Sequence, residues 1–212
     1  MTRAFVVALL GAESTGKTTL AAQLRHALAV PRRVVQTVPE YLREFCDKHG
    51  RTPRPDEQAG IAREQSARIE AAADCADIVV ADTTALMIAV YSDWVFGDRS
   101  LYDEAAAAHT RCDLTLLTAL DLPWQADGHQ RDGAHVREPI DAMVRAALQR
   151  TGQAWSLVSG SGAVRLERAT AAARHVIEAK WSPARQTARW AWVCERCGEA
   201  GCERHGLARE LR

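Results

Sequence analysis

The residues best equipped for chemistry are a lysine and two threonines that close a glycine-flanked loop. Residues 11–18 read G-A-E-S-T-G-K-T, the G-x-x-x-x-G-K-[ST] spacing of a phosphate cradle. Glycines let the backbone curl until successive N–H groups converge on phosphate oxygens, and a helix starting near Lys17 adds its positive dipole end. Gly11, Glu13, Ser14, Thr15, Gly16, Lys17, Thr18 and Thr19 are therefore expected to hold a nucleoside triphosphate. Lys17 would neutralise the β- and γ-phosphates during reaction, and the Thr18 hydroxyl would join the shell of a Mg²⁺ ion. The loop alone does not say where the terminal phosphate goes.

Carboxylates supply the next clue. Asp82 ends the run D-I-V-V-A-D, where an acid at the tip of a buried strand can hold metal-bound water or cap a following helix from Thr83. Glu40, in V-P-E-Y-L-R-E-F (38–45), follows a second expected strand and emerges on the ligand-binding edge of an open α/β sheet. A carboxylate there can take the proton of an attacking hydroxyl, as phosphoryl transfer to an alcohol requires. Asp82 is the other contender for that role. Arg43, one turn beyond Glu40, can anchor an anion or a substrate carbonyl, or simply form an i,i+3 charge pair with it. The irregular stretch 121–138 carries Arg131 and Arg137 in polar surroundings. It reads as a lid that closes over phosphates and excludes water, with an inert solvated loop as the rival.

The carboxyl-terminal spacing Cys194-x2-Cys197-x4-Cys202-x2-His205 offers three thiolates and an imidazole, a set suited to tetrahedral Zn²⁺. Unliganded or redox-active thiols and an iron–sulfur site are the alternatives. Trp190 and Trp192 just before it are expected to pack such a knuckle rather than stack bases, although a knuckle flanked by arginines can touch nucleic acid. Cys46, Cys75 and Cys112 read as small buried hydrophobes.

Elements must position these groups. Apolar runs at 5–10, 33–38, 78–81, 114–119 and 155–158 read as strands, and 17–29, 41–49, 56–76 and 164–179 as helices, with Asp56 capping the third. The segment E-A-A-A-A at 104–108 is good helix. Wholly apolar strands alternating with helices imply a mostly parallel sheet covered on both faces, a three-layer α/β fold. At 212 residues the chain suits one domain, taken as 1–180, plus an appendage at 181–212. Lys+Arg and Asp+Glu are both 27, and this neutrality disfavours nucleic acid as the main partner. No run reaches the roughly 20 apolar residues of a membrane span. The apolar run 4–10 reads as a buried strand rather than a signal peptide. A reducing, cytoplasmic setting fits the cysteine usage.

Taken together, G-A-E-S-T-G-K-T-T-L, P-E-Y-L-R-E-F, D-T-T-A-L-M-I-A-V-Y-S-D-W-V-F-G-D and D-L-P-W-Q-A-D-G-H-Q-R-D resemble the nicotinamide-riboside kinase domain of bacterial NadR proteins. That domain belongs to a wider group of P-loop ATPases that are nucleoside-kinase-like, and the resemblance covers residues 5 to 150. It implies an ATP-dependent phosphotransferase acting on nicotinamide riboside or a related nucleoside, oligomeric state open. The same resemblance implies Glu40 as base, Tyr41 and Arg43 with Trp124 and Asp127 at the acceptor, Asp82 assisting Mg²⁺, and Arg131 and Arg137 as lid arginines. Two departures stand out. Leu86-Met87-Ile88 replaces the small hydroxyl residues usual after the Asp-Thr pair, and the cysteine-rich tail is foreign to the family. The adenylyltransferase and helix-turn-helix domains of full-length relatives have no counterpart here, so repression and the second NAD-forming step are not expected. The rival reading is a regulatory or nucleic-acid-associated P-loop ATPase with a zinc-stabilised tail.

Overall fold

The computed structural model describes residues 3–125 and 133–181. The chain divides into two compact units, residues 1–176 and 177–212, and the fold below is that of the first. Asp127, Arg131 and the four expected zinc ligands, Cys194, Cys197, Cys202 and His205, lie outside the described residues.

Phe5–Leu10 forms β1 with all six side chains buried, which is why the run contains no polar residue: a central parallel strand is covered on both faces. It is joined by β2 (Val35–Val38), β3 (Ile78–Asp82), β4 (Leu114–Thr118) and β5 (Trp155–Val158). The order is β2-β3-β1-β4-β5, and each neighbouring pair runs parallel. The register sets Leu9 opposite Asp82, so the Asp82 carboxyl arrives one strand away from the start of the phosphate loop. The edge strand β2 starts two residues later than the expected 33. Arg32 adopts φ 68 and the Arg33 N–H closes a turn onto the Val30 carbonyl at 3.0 Å, which takes residue 33 out of the ladder.

Seven α-helices are described: α1 (Lys17–Leu28), α2 (Tyr41–His49), α3 (Pro55–Cys75), α4 (Ala85–Phe96), α5 (Tyr102–His109), α6 (Arg137–Thr151) and α7 (Gly162–Trp181). Leu10 and Leu117 of the sheet share one apolar cluster with residues of α2 to α6. Right-handed crossovers place α1 on the opposite face, where Arg174 of α7 donates to the Ala27 carbonyl at the end of α1 (3.1 Å). The expected three layers are present.

The expected caps are corrected by the structure. Arg54, not Asp56, is the N-cap of α3, because Pro55 takes the first helical position where a missing N–H costs nothing. Glu57 reaches back to the Arg54 N–H (2.7 Å) and grips Arg51 through two 2.6 Å bonds; Arg51 chiefly, with that N–H, holds its carboxyl down at about 2. Likewise Thr84, not Asp82, caps α4, its hydroxyl accepting from the Leu86 N–H at 3.3 Å. Asp82 is thus spared for other work. Of the three cysteines read as buried, Cys46 is buried and Cys112 partly so, but Cys75 is exposed at the end of α3.

Behind the Thr84 cap lies a buried polar relay. The His109 ring, 1% exposed, lies 3.2 Å from the Thr84 hydroxyl and 2.9 Å from that of Thr115. Burial pushes its pKa from 6.5 down to about 4. The unfolded chain therefore binds a proton that the folded chain refuses. The stability this adds is complete above pH 6.5 and is lost as pH falls toward 4, about 3 kcal/mol in all. Thermal unfolding should show Tm falling through this window in the parent, with a flatter profile in His109→Gln; equal slopes would contradict it.

Candidate active site

The glycine-rich segment forms the expected cradle between β1 and α1. Gly11 (φ 146), Ser14 (φ 52) and Gly16 (φ 76) alternate with ordinary conformations, which turns the loop concave and aims its amides inward. Only glycine fits at position 11, since a Cβ there would stand 2.1 Å from the Thr118 hydroxyl oxygen. Thr118 at the tip of β4 donates to the Thr15 hydroxyl (2.7 Å), with the Leu10 carbonyl also in reach at 3.1 Å. Thr15 in turn donates to the Ala12 carbonyl (2.8 Å). The Lys17 ammonium lies within the loop, donating to the carbonyls of Gly11 (2.8 Å) and Ala12 (2.9 Å).

A cleft of about 570 Å³ opens over the loop and is lined by Ser14 to Leu20, Gln23, Glu40, Arg43, Leu122, Pro123, Gln125, Gly162 and Arg165. The structure thus brings Glu40 and Arg43 to the same cavity as Ser14, Thr15, Gly16, Lys17, Thr18 and Thr19. Glu40 is the N-cap residue of α2, but its side chain makes no capping bond, and its carboxylate pairs with Arg43 at 3.8 Å. The i,i+3 pair and the shared cleft are both real. A carboxylate facing a phosphate cradle can take a proton from a hydroxyl presented between them.

Other expected site residues stand apart from the cleft lining. Gly11 and the buried Glu13 form the back of the loop. The Tyr41 ring lies under the Arg68 guanidinium at 4.3 Å. Trp124 is half-buried between two lining residues, its indole Nε1 buried without a hydrogen-bond partner. Arg137 is the first residue of α6, 9% exposed, with one guanidinium nitrogen 3.3 Å from the Leu120 carbonyl. Asp82 is 2% exposed, and its Oδ1 is buried without a hydrogen-bond partner. An unsatisfied buried carboxylate oxygen beside a phosphate loop fits a divalent cation or its water. Among the described residues, no cluster of three or more His, Cys, Asp or Glu side chains is placed to hold a metal. No described helix is long and apolar enough to cross a membrane.

Residues 6–165 match the family described as AAA domain. The chain belongs to that family. No curated protein sequence matches this AAA domain. Its fold is similar to that of a NadR protein in complex with NAD and AMP-PNP (TM-score 0.64, 20% identity, 82% of this chain and 49% of that one). It is also similar to a NadR protein in complex with NR (TM-score 0.67, 21% identity, 82% and 50%). A deoxyadenosine kinase from M. mycoides matches at TM-score 0.54 and 13% identity, over 79% of this chain and 97% of that one. The chain thus spans about half the length of the NadR chains it resembles. These likenesses bear out the fold expected from the sequence motifs.

Two residues of this AAA domain that the sequence did not single out hold the site together. Arg165, 4% exposed on the first turn of α7, donates to the carbonyls of Thr15 (2.8 Å), Gly160 (2.7 Å) and Ala119 (3.4 Å) and pairs with Asp121. It ties the phosphate loop to the tips of β4 and β5. The glycine-bearing strand-to-helix turn S-G-S-G at 159–162, where Gly160 has φ 96 and Gly162 φ 51, was the available signal. Gln65 of α3 is 0% exposed and bonds the backbone on both sides of Glu40; nothing in its local sequence marks it.

Proposed function

We propose that this AAA domain is an ATP-dependent kinase that transfers the γ-phosphate to a hydroxyl of a nucleoside-like small molecule, with nicotinamide riboside the first choice. The observation that carries this reading is one cleft shared by the phosphate loop and by Glu40 with Arg43. A pure ATPase needs no second carboxylate aimed at an acceptor from β2, whereas transfer to an alcohol does. The motif resemblance, and the NadR and deoxyadenosine kinase folds, support the substrate class.

In this reading the amides of the loop and the α1 amino terminus hold the phosphates, and Lys17 moves from loop carbonyls to the β- and γ-oxygens. Arg43 orients the acceptor. Glu40 accepts the proton as the acceptor oxygen bonds to the γ-phosphorus, the bond from that phosphorus to the β,γ-bridging oxygen breaks, and ADP departs with the electron pair. Thr18 and Asp82 would hold a Mg²⁺ ion, which would supply neutralisation of charge on the phosphates. Residues 121–138, including Trp124, Arg131 and Arg137, act as the lid segment.

The test is ADP release measured with Mg-ATP alone, with nicotinamide riboside and with a panel of nucleosides. An acceptor that raises turnover at least tenfold and yields a phosphorylated product supports the kinase. Turnover indifferent to every acceptor removes it and favours a regulatory ATPase.

A further inference from the structure

The geometry points to Gln65 as the positioning residue that holds Glu40 and Asp82 at a working separation. Glu40 and Asp82 sit at two different corners of the fold, where β2 gives way to α2 and where β3 gives way to α4. One fully buried side chain touches both. Gln65 Oε1 accepts from the Tyr41 N–H at 2.7 Å, while Nε2 donates to the Pro39 carbonyl at 3.3 Å and faces the Thr83 carbonyl at 3.5 Å. Pro39 and Tyr41 bracket Glu40, and Thr83 follows Asp82. The carboxamide therefore clamps the residues flanking one carboxylate to the residue adjoining the other.

The second corner needs such a clamp. Thr83 holds φ 79, a left-handed conformation that a β-branched residue adopts only under constraint from its surroundings. Its N–H is fixed by the Leu9 carbonyl at 3.1 Å, and the carbonyl faces Gln65. A glutamine is the residue type the position requires. It offers an acceptor for one backbone amide and two donors for carbonyls, with no charge to bury.

This role in catalysis rests on the kinase reading, so the experiment has two arms. Gln65→Met removes every bond at near-constant volume. Gln65→Glu keeps the acceptor for the Tyr41 N–H but sets a carboxylate against two carbonyls. In the kinetic arm, both substitutions should lower kcat at least tenfold, while the affinity for a non-hydrolysable ATP analogue stays within threefold. A side chain that merely supports the fold would shift both or neither, and wild-type kcat in a folded Gln65→Glu protein overturns the proposal.

The second arm is amide hydrogen exchange, which needs no activity. Gln65→Met should speed exchange at 39–42 and 82–84 together, leaving 11–18 unchanged. Acceleration confined to one corner, or spread through the phosphate loop, overturns the clamp. If the parent protein phosphorylates no acceptor, the kinase reading falls and the exchange arm alone decides whether Gln65 couples the corners.

Discussion

Replacing Glu40 with glutamine should reduce phosphoryl transfer by a factor of about 10²–10⁴, the usual contribution of a positioned general base. Glutamine matches the shape of glutamate but cannot accept the acceptor's proton. The substitution should leave nucleotide binding intact, because the loop contacts that hold Lys17 and Thr15 are made within residues 11–17 and with Thr118 and Arg165, none of them with Glu40. The Arg43 pair is loose at 3.8 Å and its partner side chain is 39% exposed, so its loss should cost under about 1 kcal/mol. The measurement is kcat with the best acceptor beside the Kd of an ATP analogue. Transfer that persists near the parent rate would move the base to Asp82.

The second large effect concerns Arg165. Changing it to leucine would leave the carbonyls of Thr15, Gly160 and Ala119 without their guanidinium donor, and would leave Asp121 with the Gly160 N–H and solvent. Leaving one buried and two part-buried carbonyls without their donor costs about 3 kcal/mol or more, and the exposed Asp121 carboxylate adds little to that. For a chain of this size that is a fall in Tm of about 6–12 °C. The loss should also reach the nucleotide, since the Thr15 carbonyl belongs to the cradle; a roughly tenfold weaker ATP analogue is expected. Asp121→Asn should be milder, because an amide oxygen can still accept from the Gly160 N–H that the carboxylate now holds at 2.5 Å. A Tm in Arg165→Leu within 2 °C of the parent would show that water replaces the network at no cost.

These two predictions differ in how visible their residues were. Glu40 could be read from the sequence because a charged residue just past Pro39, at the end of a short strand, must surface at the sheet's edge. Three of the five strands are legible through burial: β1, β3 and β4 are buried at every position, which leaves runs broken only by Asp82, Thr115 and Thr118. Helix α4 shows only its start in the sequence, after Thr83, through the opposite effect. Its residues 85–90 are all buried, so no polar stripe betrays a helical period. Helix α6 is hidden by its start, which follows a polar glycine-bearing segment and sets the charged Arg137 in a buried first turn. The cap of α3 was misplaced because Asp56 is a better cap by type, whereas Pro55 fixes the start by its φ angle. Arg165 and Gln65 are ordinary polar residues of helical sequence. Their roles arise from backbone carbonyls that the topology, not the neighbouring residues, brings near.

The bond from Arg165 to Thr15 spans 150 positions. The phosphate loop leaves the ribosome 150 residues ahead of its tether, which emerges last among the parts that shape it. At about 5–20 residues per second, the interval is about 8–30 s. A nascent chain carries the complete binding motif through that time without the side chain that fastens it. In the kinase reading, nucleotide would then be a late ligand, one that rewards the finished sheet rather than nucleating it.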